Sequence, residues 1–249
     1  MQDAGAGRMS MRSSLDEAAA LLAAARAQGR STLSEPDAKA MLRALGIPVP
    51  SSRLVRDAAA AAAAVAEIGP PVVAKAVARG LTHKTEAGGV IFPLATPAAA
   101  EAACRTIAKR IADYRPGVVL EGFLIEAYRP GQPEWILGLH VDPDFGPAVM
   151  FGLGGIYVEA LRQVAFRLAP LRERDIEALL TEKPAMRILD GARGRPPADR
   201  AALRDAMRRL SDLALRPDIV AQLSDIEINP LIVDESGVLA LDALVVLRS

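Results

Sequence analysis

PVVAKAVARGLTHKTEAGGVIFPL, residues 71–94, reads as a strand, a polar loop and a second strand. The first strand is apolar except for Lys75. A buried ammonium costs several kcal/mol unless an anion meets it, so Lys75 either has a partner or lies on an edge strand with its amine in water. The loop carries His83, Lys84, Thr85, Gly88 and Gly89, which can wrap backbone N–H groups and a cation around phosphate oxygens. The alternative is a plain hairpin turn closing at the two glycines. The loop lacks GxxxxGK[ST], and GLGG at 152–155 does not complete GxGxxG, so neither common nucleotide fingerprint applies.

Upstream of this unit, residues 1–13 show no periodic order and are expected to form a loose end. Ser14 is then read as the cap of a helix to Ala27, with Asp16 and Glu17 in its first turn. A second helix is expected from Ser34 to Gly46, and GIPVPSSRLV turns into a strand. The alanine run from Asp57 to Ile68 is read as a surface helix capped by Asp57.

Downstream, a helix from Thr96 to Tyr114 precedes strands at FLIEAY, EWILGLHVD and PAVMFGL. Helices are expected near 171–181 and 198–214, and the strands DIEINPLIV and VLALDALVVL, joined by DESG, end the chain. Strands and helices alternate, so the class is α/β or α+β, with short strands favouring antiparallel pairing.

Within DIEINPL, Glu227 and Asn229 are two apart on a strand and point to one face, while Ile226 and Ile228 point to the other. Asp242 lies in the returning strand, close to Asn229 across the hairpin. These three hard oxygen donors suit magnesium, which takes few protein oxygens and completes its shell with water and phosphates. The competing reading leaves Glu227 solvated, Asn229 in a turn before Pro230, and Asp242 paired with an arginine.

Composition restricts the partners. Thirty Lys plus Arg balance thirty Asp plus Glu in 249 residues, so no net field recruits nucleic acid or an anionic membrane. One cysteine, Cys104, excludes an internal disulfide and fits a reducing, cytoplasmic setting. The apolar stretch DEAAALLAAARAQGR is shorter than the roughly 20 residues a membrane span needs, so no anchor is expected.

The order of lysine strand, HKTEAGGV, IEAY, DPDFGPAVMFGLGGIYVE, FRLAP, GARGRPP, IEINPL and ALDA resembles the ATP-grasp domain of the ADP-forming acyl-CoA synthetases, from about residue 30 to the end. It is similar, too, to the nucleotide-binding subunit of succinyl-CoA synthetase. The resemblance implies an α+β fold of two lobes clasping the nucleotide. By sequence these are divided as an N-terminal tail and helix (1–30), a first lobe with Lys75 and the loop (31–124), and a second lobe with hinge and metal strands (125–249).

The same resemblance implies that Lys75, Lys84, Gly88 and Gly89 bind ATP or ADP, that Glu126 lies at the hinge beside adenine or ribose, and that Glu227, Asn229 and Asp242 hold Mg2+. His83 matches the family's phosphate-carrying histidine, with an ordinary loop histidine as the alternative. Gly80, Gly88 and Gly89 would let its loop swing. The departures are Val141, Asp142 and Pro143 where the family often has Arg-Asp-Pro, and Gln163 for a frequent aspartate, with Arg167 retained.

Nothing in these motifs accounts for the family's CoA-binding region, so the chain is expected to be one subunit of a hetero-oligomer with a CoA-binding partner. The implied activity is phosphoryl transfer between ATP or ADP and a phosphohistidine, within acyl-CoA + ADP + phosphate ⇌ acid + CoA + ATP. The alternatives are a stand-alone carboxylate–amine ligase of the same fold and a non-catalytic nucleotide-binding regulatory subunit.

Overall fold

The computed structural model describes residues 3–81, 84–131, 133–155, 163–191 and 194–248, with residues 3–11 as backbone only. Its helices are α1 (Asp3–Ala27), α2 (Glu35–Ala44), α3 (Ala58–Ile68), α4 (Pro97–Tyr114), α5 (Glu173–Leu179), α6 (Arg200–Ser211) and α7 (Pro217–Val220). Its strands are β1 (Ser52–Val55), β2 (Val72–Ala78), β3 (Val90–Leu94), β4 (Leu120–Ala127), β5 (Glu134–Asp142), β6 (Gly146–Leu153), β7 (Val164–Leu168), β8 (Leu223–Asp234), β9 (Gly237–Ala240) and β10 (Ala243–Leu247). They form two units: Pro50–Pro130, and Met1–Val49 together with Gly131–Ser249.

In the smaller unit the sheet order is β1-β4-β2-β3, with every pair antiparallel. Strand periodicity sends Val72, Ala74 and Ala76 of β2 to one face, where α3 and α4 cover them with Ala61, Ala64, Val65, Cys104, Ile107 and Ile111. The alanine run therefore makes a core-facing helix rather than only a surface one. Both helices start at side-chain caps: Asp57 accepts the Ala60 N–H at 2.9 Å, and Thr96 accepts the Ala99 N–H at 3.1 Å. Val73, Lys75 and Val77 lie on the opposite face of β2.

Cys104 is fully buried in this core, and burial, with Glu101 nearby, pushes its thiol up to about 11 from an ordinary 9.0. A thiolate is the reactive form. Native protein at pH 8 is therefore expected to leave Cys104 unmodified by a thiol reagent, and unfolded protein to react fully. The linkage has a definite sign. The unfolded chain loses the proton first, so this thiol's contribution to stability is present below pH 9 and is lost as pH rises toward 11. Fast labelling of folded protein at pH 8 would contradict both statements.

The larger unit is built on the order β10-β8-β5-β6-β7, with β9 pairing the distal half of β8. One face carries Trp135, Leu137, Leu139, Val149, Phe151, Ile226 and Ile228 into a single core with residues of α1, α2, α5 and α6. Trp135 stacks on Phe151 with ring centroids 5.3 Å apart.

The division at residues 30/31 and 124/125 expected from sequence is corrected. Residues 31–49 belong to the larger unit because they pair along its sheet. Thr32 bridges Val246, Leu33 N–H donates to Val245 C=O at 3.0 Å, and Ala240 N–H donates to Pro48 C=O at 2.9 Å. Residues 125–130 belong to the smaller unit, with 125–127 completing β4.

Two local readings also change. Helix α1 runs from Asp3 through Ser14, so Ser14 is not its cap. Alanine and methionine outweigh Gly5 and Gly7 in that segment. Asp16 instead meets Arg216 at 2.7 Å. VAFRL forms the edge strand β7, too short to stand out by period.

Candidate functional site

Lys75 lies on an interior strand, not an edge, and is only 7% exposed. Its partner is Glu126, 1% exposed, with Nζ to Oε1 at 2.9 Å. Register explains the meeting. Lys75 faces Leu124 across β2 and β4, and Glu126 is two residues further along the same face. The anion that Lys75 requires is thus supplied by the protein. A buried Lys–Glu pair is not by itself a ligand site: Lys39 and Glu35, one helical turn apart in α2, make the same contact at 3.0 Å in the other unit. What distinguishes Lys75 is its place on a sheet face beside the polar loop.

That loop is partly described. His83 lies outside the described residues. Lys84 is half-buried in a turn over residues 84–88. Gly88 and Gly89, expected to offer their N–H groups to phosphate, both donate within the turn here. Gly88 N–H meets Thr85 C=O at 3.0 Å and Gly89 N–H meets Lys84 C=O at 2.7 Å, while Gly89 C=O accepts from Ala76 at 2.7 Å.

Both positions are also sterically restricted. Gly88 has φ +66°, and a Cβ at Gly89 would press on the Lys84 carbonyl at 3.0 Å and on Ile111 at 3.2 Å. This end of the loop is closed by backbone hydrogen bonds. At the other end Gly80 has φ +72°, with its carbonyl accepting from Arg115 at 3.1 Å.

Of the three expected oxygen donors of the larger unit, Glu227 and Asn229 meet, and strand register sets Asp242 opposite Asn229. Ile226 and Ile228 point into the core, while Glu227 and Asn229 are half-buried on the opposite face, with Asn229 Nδ2 donating to Glu227 Oε1 at 3.2 Å. The returning strand is interrupted here rather than continuous as expected. Pro230 has no N–H to donate, so the ladder opens between β9 and β10. The pairs Leu231 with Ala240 and Ile228 with Ala243 bracket the gap and set Leu241 and Asp242 opposite Pro230 and Asn229. Asp242 Oδ1 accepts the Ala243 N–H at 2.8 Å.

Two carboxylates and an amide oxygen at a break in a sheet fit a hard cation such as Mg2+. Asn229 Oδ1 already accepts the Gly155 N–H at 3.1 Å. An amide oxygen has two acceptor positions, so that bond and a metal contact are compatible. Among the described residues no three His, Cys, Asp or Glu side chains cluster as a metal set, so the amide is needed to make the trio.

Sequence reasoning missed Glu134. Burial raises its carboxyl above the ordinary range. It begins β5 on the same face as Gly138, whose cross-strand partner is Glu227. Its backbone C=O accepts the Gly154 N–H at 2.8 Å, and its carboxylate occupies the space where a side chain at Gly155 would go. No spacing rule singles out a glutamate at a strand start. The GLGG run explained by these contacts was visible.

Comparison with known proteins follows this geometry. The ATP-grasp domain family matches residues 24–247. The beta subunit of acetate–CoA ligase (ADP-forming) I from Pyrococcus furiosus is 43% identical over 191 residues, 77% of this chain and 82% of that subunit. The 4-hydroxybutyrate–CoA ligase (ADP-forming) of Nitrosopumilus maritimus is 37% identical over 74% of this chain, which spans only 26% of that longer protein.

Among solved structures, acetyl-coenzyme A synthetase 1 from Ca. Korarchaeum cryptofilum matches with TM-score 0.80 and 36% identity over 93% of this chain and 100% of that one. It was solved with coenzyme A and Mg-AMPPCP, its phosphohistidine segment pointing towards the nucleotide binding site. With the family matched over nearly its whole length, this chain belongs to the ATP-grasp family, in the group that contains the beta subunits of the ADP-forming acetate–CoA ligases.

Proposed function

We propose that the chain is the nucleotide-binding subunit of an ADP-forming acid–CoA ligase. It transfers a phosphoryl group between ATP or ADP and a phosphohistidine, and a CoA-binding subunit completes acyl-CoA + ADP + phosphate ⇌ acid + CoA + ATP. The observation that supports the reading is the contact of Asn229 with Glu227 at the strand break of an ATP-grasp domain, with Asp242 opposite Asn229 in strand register. Magnesium held there would neutralise phosphate charge. Lys75 provides a cation for the phosphates, with Glu126 holding its amine in place, and Lys84 a second one. Their charge is effective because it is oriented in advance by the sheet and the turn.

The direct test is to purify the chain with a CoA-binding acyl-CoA synthetase subunit and to assay ADP- and phosphate-dependent release of CoA across several acyl-CoAs. Activity requiring both chains is the expected result. ATP turnover by this chain alone with a carboxylate and an amine would favour the amine-ligase alternative. Nucleotide binding without phosphoryl transfer in the assembled pair would favour a regulatory subunit.

The metal trio gives a sharper outcome. Asp242→Asn replaces a charged oxygen by a neutral amide of the same size, and is expected to raise the magnesium needed for half-maximal ATP binding by at least about tenfold. Overlaid magnesium titrations of variant and parent would remove Asp242 from the site.

A further inference from the structure

Gly155 stands between two side chains of the larger unit. On one side its N–H donates to Asn229 Oδ1 at 3.1 Å, and on the other the Glu134 carboxylate fills the space of its missing Cβ. Its backbone has φ +61°, a region that side chains disfavour. The preceding glycine is pinned too. Gly154 N–H donates to Glu134 C=O at 2.8 Å, and a Cβ there would meet the Trp135 carbonyl at 2.6 Å. Residue 155 is therefore set by Glu134 from behind and reaches Asn229 in front.

The bond from Gly155 has a consequence for Asn229. An amide side chain can be turned either way, and which end faces which neighbour is decided by its hydrogen bonds. Gly155 offers a donor, so the Asn229 oxygen must face it, and the Asn229 nitrogen is then the end that meets the Glu227 carboxylate at 3.2 Å. With the amide reversed, a nitrogen would face the Gly155 N–H and an oxygen would face a carboxylate oxygen. Both contacts would be repulsive.

We propose that Glu134 is a positioning residue of the metal site, acting through Gly155 to hold Asn229 and, through it, Glu227. Glycine is favoured at 155 by its φ of +61°, and a Cβ there would displace the Glu134 carboxylate. Its role rests on the reading of Glu227, Asn229 and Asp242 as magnesium donors, and the test separates the two.

ATP binding is titrated with magnesium for the full-length parent, Glu134→Ala, Gly155→Ala and the double variant. Unfolding is followed in parallel by the fluorescence of Trp135, the chain's one tryptophan. Removal of a residue that orients a metal ligand costs about tenfold or more in metal affinity. Each single variant should therefore raise the half-saturating magnesium about tenfold, with ATP affinity at saturating magnesium nearly unchanged.

The double variant distinguishes a clamp from two independent lesions. The methyl group added by Gly155→Ala enters the space that Glu134 vacates, so the combined shift should stay near about tenfold, not the roughly hundredfold of additive effects. An additive double variant, or a Glu134→Ala curve that overlays the parent, overturns the clamp. A parent whose ATP binding ignores magnesium overturns the metal reading and this role with it. If Gly155→Ala does not fold, Glu134→Ala alone still decides, since it removes bulk without adding any.

Discussion

Lys75→Met is expected to destabilise the unit Pro50–Pro130 by about 3–5 kcal/mol, the usual consequence of removing one partner from a buried ion pair. The methionine keeps the apolar bulk of the stem, but Glu126 loses its lysine at 1% exposure. Cys104 supplies a reporter within the same unit. Its thiol becomes reactive only on opening, so its labelling rate at fixed reagent should rise by about a hundredfold or more. Glu126→Gln in the same chain removes the carboxylate charge and should recover most of the lost stability.

ATP binding should not recover with it, because the double variant still lacks the cation. The two roles of Lys75 are thereby separated: stability follows the pair, whereas nucleotide affinity follows the lysine alone. A single variant as stable as the parent would show that the pair contributes nothing. A double variant that binds ATP like the parent would remove Lys75 from the nucleotide site.

His83→Ala is expected to leave ATP affinity within a few-fold of the parent and to lower phosphoryl exchange with the CoA-binding partner by about a thousandfold, the scale for loss of an obligatory covalent relay. A histidine attacks as the neutral imidazole, which alanine cannot supply. Gly88 and Gly89 donate their own N–H groups within the turn that follows the histidine. Exchange in the variant near the parent rate would make His83 an ordinary loop residue.

Much of the fold was legible because it rests on short-range physics. Asp57 and Thr96 start helices for the reason their carboxylate or hydroxyl oxygens suggest, and the period of two correctly placed Glu227 and Asn229 on one face and the isoleucines on the other. The same local reasoning did not foresee that Gly88 and Gly89 donate within their own turn. A glycine pair looks alike whether it serves a phosphate or a tight turn, and only the packing of Ala76, Arg110 and Ile111 distinguishes them.

By itself the sequence determined which residues carry charge into apolar strands, where the oxygen donors alternate, and which family pattern they spell. Tertiary structure alone decided that Lys75 meets Glu126, that residues 31–49 join the larger unit, that the ladder breaks opposite Pro230, and that Glu134 stands behind Gly155. The physical reason is common to all four. Each depends on register or packing between segments distant in the chain, and no local propensity encodes which strand lies beside which.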